Sequence, residues 1–247
     1  MLDFVKRILG LSKKKSIRIL MYHQVLPQSI AFKNDLIVTA ENLDDQLKFI
    51  KSNYQTVFFR DLEGNSKSLQ NKIILTFDDG YYNNLEYLIP LLEKHQLKAT
   101  IFIPTEFFQN SKHGNGKLYM NFEELQSLDS SLVEIALHSH SHQNFSHLSL
   151  EESEKDLLKN MELLDENKIN YSKVLAYPYG RFPKEKVSKK EFFSMLDRIG
   201  IVYALRIGNK IECYPFKNKY EVNRIDIKYG DTLKTFKWKL KFGKTKL

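Results

Sequence analysis

Four short apolar runs in this chain each end on a polar motif, and that recurrence constrains the fold more than any other feature. Ile17-Arg18-Ile19-Leu20-Met21-Tyr22 stops at His23, and Lys72 to Phe77 stops at Asp78-Asp79-Gly80. Leu132 to Leu137 stops at His138-Ser139-His140-Ser141-His142, and the run beginning at Lys173 ends in Tyr177-Pro178-Tyr179-Gly180. Runs of this length, bounded by polar residues, read as strands. Further strands are expected at 55–58, 99–103, 201–205 and 221–227, and amphipathic patterning predicts helices at about 41–52, 83–95, 121–128, 150–167 and 188–198. Ser149 ahead of Glu152 forms a capping-box signal, and Gly200 supplies a stop. The alternation of strand and helix predicts βα units in a single α/β domain with a largely parallel sheet. In a parallel barrel the C-terminal strand ends face one mouth, where active sites are built, so the four motifs are expected to share a pocket.

The residue types of those motifs suit a metal. Asp-Gly is also a common turn dipeptide, and a His-rich stretch is also compatible with a solvated loop. Taken together, a carboxylate and paired imidazoles form a ligand set. Four residues of straight strand span roughly 13 Å, too far for His138 and His142 to share an ion. A helical turn after His138 would bring positions i and i+4 to about 5–6 Å at Cβ, leaving His140 to point elsewhere. Asp79, His138 and His142 then make a three-ligand site with open positions, the pattern of a catalytic metal. The adjacent Asp78 is left free to accept the proton of an attacking water. One divalent ion is expected as cofactor, zinc first, with other transition metals also suited to two imidazoles and a carboxylate.

The net charge of +8 raises the question of nucleic acid, and its placement answers it. Residues 1–15 carry +4 and residues 231–247 carry +5, so the 215 residues between them sum to −1. A body without basic surplus argues against a nucleic-acid partner. The basic ends also carry apolar residues: Leu2, Phe4, Val5, Ile8, Leu9 and Leu11 at one, Phe236, Trp238, Leu240 and Phe242 alternating with lysines at the other. Either end suits peripheral membrane contact, and either equally suits a solvated or partly docked terminus. Lys6 and Arg7 interrupt the first segment, so neither a signal peptide nor a transmembrane helix is expected there. The expected location is cytoplasmic, with contact at the inner membrane face. Cys213 is the single cysteine, so no internal disulfide forms, and its setting reads as a packed strand end.

Across roughly residues 17–228 the chain resembles the NodB-homology polysaccharide deacetylases of carbohydrate esterase family 4. The residues that carry the likeness are Leu20-Met21-Tyr22-His23, Thr76 to Gly80, His138-Ser139-x-x-His142 and Ala176-Tyr177-Pro178-Tyr179-Gly180. The resemblance implies a distorted, incomplete (β/α) barrel over 17–228, and the charge patterning sets beside it a basic amphipathic segment at 1–16 and a basic aromatic tail at 229–247. It implies a metal-dependent hydrolase that removes N-acetyl, less often O-acetyl, groups from amino sugars of a glycan or a lipid-linked saccharide. A noncatalytic carbohydrate-binding relative and a hydrolase of another amide are the alternatives. Asp78 takes the part of general base, Asp79, His138 and His142 that of metal ligands, and Tyr179 offers its backbone N–H to the oxyanion.

Two departures from the family pattern redirect residue roles. Many members carry an arginine just before the Pro-Tyr-Gly turn, where this chain has Leu175-Ala176-Tyr177, so Arg224 becomes the candidate tether of the base. Many members also place an acid histidine near the C-terminus, whereas no histidine follows His147 here, so His23 becomes the candidate acid. Tyr177 and Tyr81 are candidates to line or orient substrate.

Overall fold

The structure, a computed structural model, describes residues 15–62, 71–109 and 117–244. Its centre is a ring of parallel strands. In chain order the strands are β1 (Lys15–Tyr22), β2 (Gln24–Leu26), β3 (Ile37–Thr39), β4 (Gln55–Thr56), β5 (Lys72–Phe77), β6 (Ala99–Ile103), β7 (Val133–Leu137), β8 (Tyr171–Ala176), β9 (Tyr203–Ile207), β10 (Glu212–Tyr214) and β11 (Val222–Asp226). The order β1-β11-β9-β8-β7-β6-β5 closes on itself because β1 also pairs with β5, giving a barrel of seven strands, one short of eight. β10 lies antiparallel on β1, β4 extends β5, and β2 pairs with β3 as a separate ribbon.

The helices are α1 (Ala40–Asn53), α2 (Ile89–His95), α3 (Thr105–Gln109), α4 (Phe122–Gln126), α5 (Leu150–Glu166), α6 (Lys186–Arg198) and α7 (Leu233–Phe242), with a π turn, Asn84–Leu88, leading into α2. Side-chain alternation sorts each barrel strand into two cores. Ile17, Ile19, Ile74, Phe102, Ala136, Val174, Ala176, Leu205 and Val222 fill the interior. Leu20, Leu75, Ile101, Ile135, Leu175 and Ile225 face outward against the helices. With both faces buried, these strands read as continuous apolar runs.

The floor of the barrel is closed by Val57, Phe59 and Leu62 and tied by Glu134, which is buried on β7. Its carboxylate accepts from the backbone N–H groups of Phe59 (3.0 Å) and Arg60 (3.1 Å) and from the hydroxyls of Thr100 (2.8 Å) and Ser172 (2.6 Å). A buried carboxylate is tolerated when its oxygens are fully used in this way. At the opposite end the strands deliver the polar motifs.

The structure distinguishes the two readings of the C-terminal segment and corrects the packed reading of Cys213. The aromatic and lysine alternation at 236–242 is helical, with Thr232 as N-cap and Gly243 (φ 80) ending the helix. Phe236 and Leu240 are buried, and Phe236 packs edge-on to Phe49 of α1 at 6.4 Å, while Trp238 turns outward. Part of the segment is therefore core, the partly docked terminus of the two readings given above. Cys213 is exposed on β10 rather than packed. No helix among the described residues is long and apolar enough to cross a membrane, and the apolar segment at 1–14 lies outside them.

Candidate metal centre and active site

Asp78 continues β5 into the mouth, its N–H still bonded to the Tyr22 carbonyl at 2.9 Å. By alternation it lies on the interior face, two residues beyond Thr76. There it meets Arg224, which alternation from Val222 likewise turns inward. Arg224 is 1% exposed, and its two terminal nitrogens donate to the Asp78 oxygens at 2.6 and 2.8 Å. Thr76 completes the junction, accepting from Arg224 at 3.2 Å and donating to the Leu20 carbonyl at 2.6 Å. Burial disfavours the Asp78 charge, but the charges of Arg224 and then His138 outweigh it and hold the carboxyl below its usual range.

The chain reverses directly after Asp78. Asp79 (φ 71) and Gly80 (φ 61) both have left-handed backbone, which Asp tolerates and Gly accepts freely. A Cβ at Gly80 would lie 2.3 Å from Phe108, so the position admits only glycine without local movement. The turn swings Asp79 away from its neighbour and toward the histidine loop.

That loop is not the helical turn the i, i+4 spacing suggests. Ser139 (φ 67) and His142 (φ 54) reverse the backbone instead, with Ser139 Oγ accepting the His142 N–H at 3.0 Å. Asp156 of α5 pins the loop from outside, its carboxylate accepting the N–H groups of His140 and Ser141, each at 2.9 Å. His140 bonds Thr105 at 3.0 Å, away from the cluster. His138 donates from Nδ1 to the Ala176 carbonyl at 2.7 Å, which leaves the Nε2 lone pair for a ligand, as in metal-bound histidines generally.

Asp79, His138 and His142 thus converge, with one potential ligand atom from each within 4.8 Å of the others. Asp79 Oδ1 stands 3.3 Å from His138 Nε2 and 3.2 Å from His142 Nε2, is buried, and receives no hydrogen bond. A buried carboxylate oxygen without a donor, facing two imidazole nitrogens, is what a divalent ion would satisfy. Burial disfavours the Asp79 charge, and the two facing imidazoles reverse this and hold its carboxyl far below the usual range. Burial also opposes the His138 cation, yet the charges of Asp78 and Asp79 raise that imidazole above its ordinary value. The residues therefore fit the implied ion.

Of the other expected residues, His23 lies at the mouth with Nε2 at 3.8 Å from Asp78 Oδ2. Tyr179 is held in the short 3₁₀ turn Pro178–Gly180 at φ 56, the residue 63% exposed and its ring centroid 5.0 Å from that of His142. Gly180 lets this turn rest on β9, since a Cβ there would meet the Ile207 backbone nitrogen at 3.0 Å. Tyr81 is buried against Tyr119, ring centroids 5.1 Å apart, and burial together with the Asp79 charge raises its phenol. Tyr177 is a correction: its side chain points outward, fully buried near Phe145 and Phe182, with its hydroxyl donated to the Tyr220 carbonyl at 3.0 Å. It cannot touch substrate in this position.

Sequence reasoning missed two carboxylates. Asp156 carries no local signal, because only the fold brings α5 to the histidine loop. Asp226 was legible by parity, being two residues beyond Arg224 on β11. Its carboxyl is raised chiefly by burial, against the opposing charges of Lys228, Lys239 and His23.

Comparison with known proteins follows the same lines. The polysaccharide deacetylase family profile matches residues 65–194. YxkH of Bacillus subtilis (strain 168), assigned by name to the polysaccharide deacetylases, is 26% identical over 184 residues, and the match spans 72% of this chain and 62% of YxkH. The poly-beta-1,6-N-acetyl-D-glucosamine N-deacetylase of Staphylococcus aureus (strain N315) is 25% identical over 238 residues, covering 86% of this chain and 79% of its own. The fold is that of the deacetylase PplD of Streptococcus pyogenes (TM-score 0.74, 22% identity, 88% of this chain and 94% of that one). It is also that of IcaB from Ammonifex degensii (TM-score 0.71, 18% identity, 93% and 97%).

Proposed function

The chain belongs to the polysaccharide deacetylase family, and from that premise we propose that it is a metal-dependent hydrolase removing N-acetyl groups from amino sugars of a glycan. The observation that carries this reading is the division of labour between two adjacent carboxylates: Asp78 is paired to Arg224, and Asp79 faces two imidazoles. The named activity of the Staphylococcus aureus relative, on poly-N-acetylglucosamine, supports the substrate class.

Asp79, His138 and His142 would hold the ion. When bound, a divalent ion lowers the pKa of water toward about 7 and polarises the amide carbonyl. The chain's own groups do the rest. Asp78, kept ionised by Arg224, accepts the proton of the attacking water. The Tyr179 N–H, presented by its left-handed turn, donates to the oxygen on which negative charge develops. His23 then protonates the departing amine.

The direct test is acetate release from N-acetylglucosamine oligomers. Activity should vanish on chelation and return with zinc or another divalent ion, and turnover that persists through exhaustive chelation would overturn the metal role. His23→Ala should lower kcat by about 10²–10⁴-fold, the range of a lost general acid, with ion affinity unchanged by calorimetry. Near-normal turnover in that variant would move the acid to another group.

A further inference from the structure

The barrel rim beyond the Pro178–Gly180 turn carries three cations that no acid pairs among the described residues. Arg181 follows the turn, Lys184 lies three residues on, and Arg206 precedes the Ile207 on which Gly180 rests. Two of them meet over one ring, the Lys184 Nζ 3.2 Å from the Phe182 centroid and the Arg206 guanidinium carbon 5.9 Å from it, and the charge of Arg181 is felt at Lys184. Several other cations around the barrel are matched, Lys228 to Asp35 at 2.7 Å, Lys189 to Glu221 at 2.7 Å and Lys117 to Glu124. The carboxylate nearest in sequence, Glu185, is committed to capping α6 through the N–H groups of Val187 and Ser188 at 2.8 and 2.9 Å.

The crowding has an electrostatic cost. Burial, and then the charge of Arg206, lower the Lys184 ammonium, and Glu221 only partly opposes them. Like charges held together beside an aromatic face, with no direct ion pair among the described residues and only partial compensation from Glu221, create a place where an anion is favoured. Arg181 links the group to the chemistry. Arg181 is two residues from Tyr179, at most roughly 7 Å of extended chain, and the Tyr179 ring touches that of His142.

We propose that Arg181, Lys184 and Arg206 recognise an anionic group, phosphate or carboxylate, on the glycan at a sugar neighbouring the one deacetylated, so that the preferred substrate is an acidic N-acetylated glycan. This rests on the deacetylase reading of the same site. Two guanidinium groups and an ammonium suit such oxygens, the former by paired N–H donors. None of the three belongs to the groups assigned to bond making or breaking.

The experiment compares a neutral N-acetylglucosamine oligomer with one of equal length bearing phosphate or uronate groups, each assayed for acetate release and, separately, for binding to the zinc-loaded protein by calorimetry. The anionic oligomer should bind about tenfold more tightly, an advantage that added salt erodes. The triple variant R181Q/K184Q/R206Q should lose that advantage while its kcat and KM on the neutral oligomer stay unchanged. Inorganic phosphate should compete only weakly, since it lacks the sugar. Equal affinity for the two oligomers overturns the inference, as does an equal loss on both in the triple variant, or single-stranded DNA binding as tightly as the acidic glycan. Binding is read independently of turnover: a protein that binds the acidic oligomer selectively yet releases no acetate would retain this site and lose the deacetylase reading.

Discussion

Asp78→Asn is expected to cut acetate release by about 10²–10⁴-fold, the usual worth of a general base, while the protein still takes up one divalent ion. The separation follows from the geometry. The Asp78 oxygens are occupied by Arg224 at 2.6 and 2.8 Å, whereas the three converging ligand atoms come from Asp79, His138 and His142. An amide at position 78 keeps an oxygen for the guanidinium but has no basic lone pair for a proton. Calorimetric titration with zinc alongside the acetate assay distinguishes the two roles. Should the variant retain activity within a few-fold of the parent, the base lies elsewhere; should it lose the ion as well, the two carboxylates do not divide the work.

Arg224→Met is expected to destabilise the protein by about 3–5 kcal/mol, since removing one partner leaves a buried carboxylate without its counter-charge. The pH dependence should move with it. Burial raises the Asp78 carboxyl and Arg224 is the foremost charge opposing it, so loss of the guanidinium lets the pKa climb. Asp78 accepts a proton only when ionised. The acidic limb of kcat/KM, which in the parent enzyme should lie below the ordinary carboxylate value of about 3.9, should therefore shift to higher pH. Arg224→Lys keeps a charge but not the paired donors and should fall between. Denaturant midpoints and pH–rate profiles check both effects, and an unmoved limb in Arg224→Met would show that Arg224 does not tune the base.

How much of the fold and site is legible in the amino-acid sequence depends on where the physical signal resides. β5 and β6 match their expected bounds at 72–77 and 99–103 because strands buried on both faces are written as unbroken apolar runs. The three-residue strands β2 and β3 carry too little pattern to announce themselves. α7 misleads because its aromatic residues alternate with lysines, and only packing against α1 reveals that 236 and 240 share a buried side. The site itself shows the same division. Arg224 was nameable, and its inward aim follows from counting in twos from Val222. Tyr177 fails by the same parity, since it stands one residue past the inward Ala176. The reversal that joins His138 to His142 was hidden, because its left-handed residues are serine and histidine rather than glycine.

The double pairing of β1 carries a consequence in time. Leu20 sits opposite Leu75 on one side and Ile225 on the other, so the ring cannot close until β11 exists. Asp78 and Arg224 are 146 residues apart in sequence. At a synthesis rate of about 5–20 residues per second, the carboxylate waits roughly 7–30 s on the ribosome before its guanidinium is even made. During that interval the Asp78 side chain has no reason to be buried or fixed, and a nascent chain stalled before β11 would present every metal ligand yet lack the aligned base. Competence for proton transfer thus arrives with the final strand of the ring, which makes translation through β11 a precondition of chemistry as well as of barrel closure.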